Sequence, residues 1–187
     1  MSQTIRSFIA FDLENPSILE QISKTQNQLT QTGANLKLVK PRNVHVTLRF
    51  LGNVTQNMVN QIYEKMKKVS FKPFDIEIQG VGVFPKPTHI RVIWIGVRKG
   101  ADELVNIFNQ LEPQLQSLGF KPDRKGFTPH LTIARVKGSR HKTELIKRIR
   151  ELSDQKFGVV KGKCLRLKKS VLTPKGPIYS ILKEVCP

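Results

Sequence analysis

Along this chain the apolar residues switch between two spacings, and each switch marks the edge of an element. Arg6 to Leu13, RSFIAFDL, is dense in Phe and Ile and reads as a strand. Asn15-Pro16-Ser17 then opens a helix, with proline in its first turn, and Ile18, Ile22, Gln26 and Leu29 fall on one face of it. Leu36 to Val39 is a short extended run that stops at Lys40-Pro41. Val44 to Leu51 is a strand closed by Gly52-Asn53, and Thr55 caps a helix with Val59, Ile62, Met66 and Val69 inside. Phe74 to Val83 and His89 to Val97 read as two strands joined by the Phe84-Pro85-Lys86-Pro87 turn. A helix over Ala101 to Leu118 carries Leu104, Ile107, Phe108, Leu111 and Leu115 in one stripe, with a kink or break expected at Pro113. Thr128 to Val136 is a strand, Thr143 to Leu152 a basic helix, and Phe157 to Val185 reads as strands with a turn at Pro174 to Pro177. This mixed order, with no linker or low-complexity segment to split it, predicts an α+β fold in one domain spanning residues 1–187.

Two of the strands share a motif. NVHVTLRFLG, residues 43–52, contains His45-Val46-Thr47, and PHLTIARV contains His130-Leu131-Thr132. Each motif follows a strand and a helix, so the order reads as a loose internal duplication. Residues i and i+2 of a strand point to one face. Strict alternation therefore puts His45, Thr47 and Arg49 together, with Val44, Val46, Leu48 and Phe50 behind them. It likewise groups His130, Thr132 and Ala134, and turns Leu131, Ile133 and Arg135 away.

If the two strands meet across a pseudo-two-fold axis, two imidazoles and two hydroxyls surround one cavity. That set suits in-line displacement at phosphorus. One neutral imidazole takes a proton from the attacking oxygen, and the other, protonated, gives one to the leaving oxygen. Histidine is suited to both forms because its ordinary pKa is ~6.5. The hydroxyls serve the non-bridging oxygens. His89 and His141 lack a threonine two residues on and are expected to be surface or structural residues. No carboxylate is close in sequence to either motif and no HExxH pattern occurs, so neither a metal site nor a cofactor is expected. Gly80-Val81-Gly82 lacks a third glycine, since Pro85 stands there, and reads as a strand bulge or bend.

Charge adds a partner to this chemistry. The 187 residues carry 32 Lys and Arg against 14 Asp and Glu, a formal net charge of +18. From Lys137 onward there are 14 basic residues and four acidic ones. A field of this sign attracts polyanions, RNA and DNA above all. With 39% hydrophobic residues the chain can build a core, yet no apolar run approaches the ~20 residues of a membrane span. The opening MSQTIRSFIAFDLEN has no signal-peptide pattern, so a cytoplasmic location is expected. Cys164 and Cys186 form no CxxC pair and are expected to be reduced thiols.

The two His-x-Thr motifs, with their flanks, resemble those of the 2H phosphoesterases. RSFIAFDL, LKLVKPRNVHVTLRFLGNV, GVGVFPKPTHIRVIWIGV, FTPHLTIARV and SVLTPKGPIYSILKEV are most similar to segments of the RNA 2',3'-cyclic phosphodiesterases, also known as 2'-5' RNA ligases. The resemblance implies a bilobal α+β fold of two pseudo-two-fold-related lobes, antiparallel sheet inside, helices outside and a cleft between. It implies hydrolysis of a terminal 2',3'-cyclic phosphate of RNA to a 2'-phosphate without a cofactor. It carries His45 and His130 over as the acid–base pair; His45 as acid and His130 as base is the first assignment to consider, and the symmetry of the motifs leaves the reverse equally open. Thr47 and Thr132 become phosphate ligands, and Arg135 assists them. Arg6 and Arg49 are candidates to hold RNA, and Phe8 or Phe11 to stack on its terminal base. Joining of 2'-phosphate and 5'-hydroxyl ends, opening of small cyclic nucleotides, or a non-catalytic RNA-binding role are the alternatives. A monomer is the expected state.

Overall fold

The computed structural model describes residues 4–124 and 126–187. Its strands and helices run β1 (Thr4–Asp12), α1 (Pro16–Thr30), β2 (Leu36–Leu38), β3 (His45–Thr55), α2 (Gln56–Met66), β4 (Phe74–Lys86), β5 (His89–Val97), α3 (Ala101–Gln116), β6 (His130–Val136), α4 (Lys142–Glu151), β7 (Lys156–Gly162), β8 (Leu165–Thr173) and β9 (Gly176–Val185). The helix starts follow from local chemistry. Asn15 Oδ1 accepts from the Ile18 amide at 3.2 Å, and Thr55 Oγ1 accepts from the Met58 amide at 3.2 Å. Helix α3 runs through Pro113 to Gln116 rather than breaking there. The proline falls in the last turn, where little helix remains for it to disrupt.

One antiparallel sheet holds the strands in the order β7-β4-β5-β6-β3-β1-β8-β9, with β2 added alongside β6. From the middle, four strands lead each way: β3-β1-β8-β9 and β6-β5-β4-β7. Helices α2 and α3 pack together over the first half, and α1 and α4 over the second. Since α1 follows β1 yet packs against β6 and β7, each half is completed by helices from both parts of the chain. The apolar stripes all face inward, with Ile22, Leu29, Ile62, Met66, Leu104 and Leu111 fully buried. Each such side chain contributes about 1.5–3 kcal/mol relative to exposure.

The two halves meet at β3 and β6, where Val46 pairs with Leu131. These are the middle residues of the two His-x-Thr motifs, so the approximate two-fold axis passes between them. Each motif strand then departs from strict alternation at the same point. Against β1, Thr47 pairs with Ala10 and Arg49 with Ile9, which leaves Leu48 as an extra residue. Against β5, Thr132 pairs with Trp94 and Ala134 with Ile93, which leaves Ile133 extra. A bulge of this kind reverses the facing of every later residue. The carbonyl at the second bulge is satisfied from outside the β5 ladder. Gln26, buried on the apolar face of α1, donates to Ile133 O at 2.8 Å and to Val39 O at 2.7 Å.

The cysteines depart from expectation. Cys164 and Cys186 form a disulfide. Leu165 of β8 pairs with Val185 of β9, so the hairpin brings the two residues just beyond it to a Cα separation of 4.3 Å. Neither sequence spacing nor a motif announces that pairing. The Gly80-Val81-Gly82 stretch is the expected bulge: Gln79 pairs with Gly96 and Val81 with Ile95, and Gly80 takes a φ of 80°.

Candidate active site

A cleft of about 430 Å³ opens where the motif strands meet. His45 and Thr47 line it from β3, and His130 and Thr132 from β6. The same local device orients both imidazoles. His45 Nδ1 lies 2.7 Å from Asn43 O, and His130 Nδ1 lies 2.6 Å from Thr128 O, each two residues back. A carbonyl can only accept, so Nδ1 carries the proton in both rings and Nε2 is left for the reaction. Aromatic rings wedge each imidazole: Phe8 and Tyr179 at 4.9 and 5.3 Å from His45, Phe84 and Trp94 at 5.0 and 6.3 Å from His130. Gly82 makes room for one of these rings, since a Cβ there would sit 2.4 Å from the Trp94 indole.

Burial lowers the pKa of both histidines. His45, which also feels the Lys168 ammonium, falls to about 4 against the push of its Asn43 hydrogen bond. For His130 the direction is the same and the cause is again desolvation, opposed by the Thr128 hydrogen bond. Behind His45 lies a charged layer. Asp12 pairs with His45 across the β1–β3 ladder, the buried Lys168 donates to it, and Arg166 Nη1 donates to it at 2.9 Å. Asn43 ties this side to the β8–β9 hairpin by donating to Pro177 O at 2.9 Å.

Cations surround the opening. Arg6, Lys37, Lys40, Arg135, Lys137 and Lys175 line the cleft, and among the described residues no carboxylate does. The donor set fits a phosphate anion. Three ligating atoms gather at Cys164, Glu184 and Cys186, none of which lines the cleft, and both sulfurs there are bonded to each other.

Of the residues singled out from sequence, the cleft brings together His45, Thr47, His130, Thr132, Arg135 and Arg6. Arg135 does not face away: the extra residue Ile133 returns it, and Lys137 after it, to the cleft. Arg49 is a correction in the opposite sense. The bulge at Leu48 turns it from the cleft toward α3, where Nε donates to the buried Glu112 at 2.6 Å and Nη2 donates to Lys121 O. It anchors the α3 and 121–123 segments rather than RNA. Phe11 packs edge-on to Phe71 and Phe74 in the core, with centroids at 5.7 and 5.6 Å, and cannot meet a base. Phe8 borders the cleft but is only 2% exposed, its faces taken by His45 and Tyr179. Phe50, Asn43, Lys168 and Tyr179 escaped sequence reasoning. Phe50 was hidden by the assumed alternation, and the others lie outside both motifs.

The LigT like Phosphoesterase family model matches residues 13–94 and 95–179, one segment for each motif strand. The chain belongs to this family, the 2H phosphoesterases, and is an enzyme of the phosphoesterase class. It is 41% identical over 165 residues to a protein of Aeropyrum pernix named RNA 2',3'-cyclic phosphodiesterase, covering 88% of this chain and 94% of that one. A protein of Methanocaldococcus jannaschii with the same name is 41% identical over 180 residues, covering 96% and 99%. The fold is similar to the crystal structure of E. coli LigT complexed with 3'-AMP, with a TM-score of 0.79, 22% identity and 98% of each chain covered. Among the described residues, no helix is long and apolar enough to cross a membrane.

Proposed function

We propose that this protein hydrolyses terminal 2',3'-cyclic phosphates of RNA to 2'-phosphates, with His45 and His130 as the proton-transfer pair. The observation that carries it is the pair of equivalently tethered histidines on adjacent strands, facing one cation-lined cleft. Water attacks phosphorus and yields a proton to one Nε2. The phosphorus–O3' bond breaks, and the other imidazolium protonates O3'. Thr47, Thr132 and Arg135 receive the non-bridging oxygens, whose charge grows as the water adds. The names of the relatives supply the substrate class, and the six cations of the opening suit an RNA backbone.

The charged layer behind His45 divides the two roles. His45, held neutral by burial and by the Lys168 ammonium with a pKa of about 4, starts in the form a base requires. His130, lowered by burial with no such cation beside it, is then the acid once the anionic substrate favours its protonation. Of the two assignments that the symmetric motifs leave open, this one makes His45 the base and His130 the acid.

The test is a 5'-labelled RNA ending in a 2',3'-cyclic phosphate, incubated with excess chelator. Wild type is expected to leave a 2'-phosphate, and His45→Ala and His130→Ala to leave the ring closed. RNA bound but unopened by wild type would instead point to another phosphoester as the substrate of this site.

A further inference from the structure

A second cavity, of about 280 Å³, shares no lining residue with the catalytic cleft. It opens round the end of β6. Arg135 and Lys137 line the cleft, whereas Val136 between them lines the second cavity, together with the loop that follows. Arg91 from β5, Arg140 from that loop and Lys142 from the start of α4 converge on it, and among the described residues no carboxylate lines it. Arg91 Nε donates to His89 Nε2 at 3.0 Å, and Lys142 Nζ donates to Thr88 O. These partners are an imidazole nitrogen and a carbonyl, so they position the cations without offsetting their charge. The loop is held at both ends. The Lys137 amide donates to Asn35 O at 2.8 Å, and the His141 ring packs on Gly33, where a Cβ would stand 3.0 Å from it. His141 takes a φ of 52°, uncommon for a residue with a side chain, and it stands between the two cations Arg140 and Lys142.

We propose that this cavity is an anion subsite for an internal phosphodiester of the same RNA, a few nucleotides upstream of the reacting end. This rests on the cyclic-phosphate reading and extends it from the terminus to the body of the substrate. Arg140 follows three residues after Lys137, at most about 11 Å along the backbone. A strand that leaves the cleft past Lys137 therefore meets this cavity next. A phosphate seated there accepts charge-assisted hydrogen bonds from two guanidinium groups and an ammonium. Such contacts hold the backbone and carry no sequence information, so the subsite fixes the path of the RNA without selecting its bases. A cyclic mononucleotide has no second phosphate to place here. The subsite thus favours an oligonucleotide over a mononucleotide and leaves the chemistry at His45 and His130 untouched.

The experiment uses RNAs of increasing length, from the mononucleotide upward, that all end in a 2',3'-cyclic phosphate. Affinity is read separately on matching RNAs with a plain 3'-hydroxyl, which needs no turnover. Wild type is compared with Arg91→Ala/Arg140→Ala and with Lys68→Ala/Lys72→Ala, which removes the same charge from exposed lysines after α2. Wild type is expected to gain about tenfold in kcat/KM at one step of the series. The arginine variant should lose that step, keep the mononucleotide rate and show a salt slope of affinity shallower by about 0.7, the share of one phosphate contact on a single strand. The lysine variant should keep the step. An uncharged methylphosphonate walked along the RNA should cost wild type the same factor at one linkage and cost the arginine variant nothing there. A step that survives in the arginine variant, one that falls equally in the lysine variant, or a wild type with no step overturns the subsite. If wild type opens none of the RNAs, the cyclic-phosphate reading fails; a shallower salt slope in the arginine variant alone would still uphold the subsite, and equal slopes would overturn it.

Discussion

Strands β3 and β6 are nearly the same object up to one point and opposites beyond it. Both carry His-x-Thr, both tether Nδ1 to a carbonyl two residues back, and both bulge one residue after the threonine. From there HVTLRFLG offers the cleft a phenyl ring and a glycine, and HLTIARVK offers a guanidinium and an ammonium. The surroundings diverge too. His45 backs onto the Asp12, Lys168 and Arg166 layer, and His130 onto Phe84 and Trp94. In the proposed reaction the symmetric parts supply the two proton-transfer groups. The asymmetric remainder gives the two sides of the cleft different chemistry, a phenyl ring on one and cations on the other.

The sharpest way to break this comparison is to treat the histidines as interchangeable. His45→Ala and His130→Ala are each expected to lower turnover about 10²–10⁴-fold. With sulfur in place of O3', the leaving group needs no proton. Only His130→Ala should then recover, measured by single-turnover opening of the thio-substituted ring. Recovery of His45→Ala instead would exchange the roles, and equal recovery would dissolve the division.

Arg135 tests the second difference. Arg135→Ala is expected to cost about 10²–10³-fold, mostly in kcat, as removal of one donor to a developing anion does. Arg135→Phe copies the residue of β3 and should be no better than alanine. A loss confined to KM would make Arg135 a binding cation only.

Acid stability reads the burial of His45. Its folded pKa of about 4 lies below the unfolded ~6.5, so the unfolded chain binds the extra proton between those values. Stability should therefore fall as pH drops from 6.5 toward 4, by on the order of 2–3 kcal/mol from this group. Urea unfolding of wild type and His45→Gln across that window isolates the contribution, and parallel pH profiles would contradict it.

Gln26→Leu strips two buried carbonyls, Ile133 O and Val39 O, of their side-chain donor. An expected loss of about 1–3 kcal/mol in urea midpoint analysis, together with a fall in kcat, would tie the bulge to the placement of Arg135. The smallest effect concerns Lys168→Met. Removing that buried cation lets the His45 pKa rise, because the ammonium disfavours imidazolium. The acid limb of the pH–rate profile should move to higher pH, and NMR titration should show His130 unmoved.

Period-two and period-3.6 patterns made the strands, the helix faces and the His-x-Thr pairs legible, since each depends on residues within a few positions. The pattern failed where one residue was extra. Arg135 and Phe50 were assigned to the wrong face and Arg49 to the cleft, because alternation carries no sign of a bulge. The carbonyl at the β6 bulge accepts from the Val39 amide at 2.9 Å and from Gln26, 107 residues away in sequence. Phe11 looked available because composition cannot tell a ring that stacks on RNA from one that fills a core. The disulfide stayed hidden because hairpin register, not spacing, brings Cys164 to Cys186.

Local residue order was thus enough for the elements, the two proton-transfer candidates and the strongly positive charge of the chain. Those rest on side-chain chemistry and backbone periodicity, which are short-range. Which residues face the cleft, how far each histidine is held from protonation, and which wall is apolar were decided only on assembly. Facing, burial and field depend on strands and helices from distant parts of the chain meeting at one place.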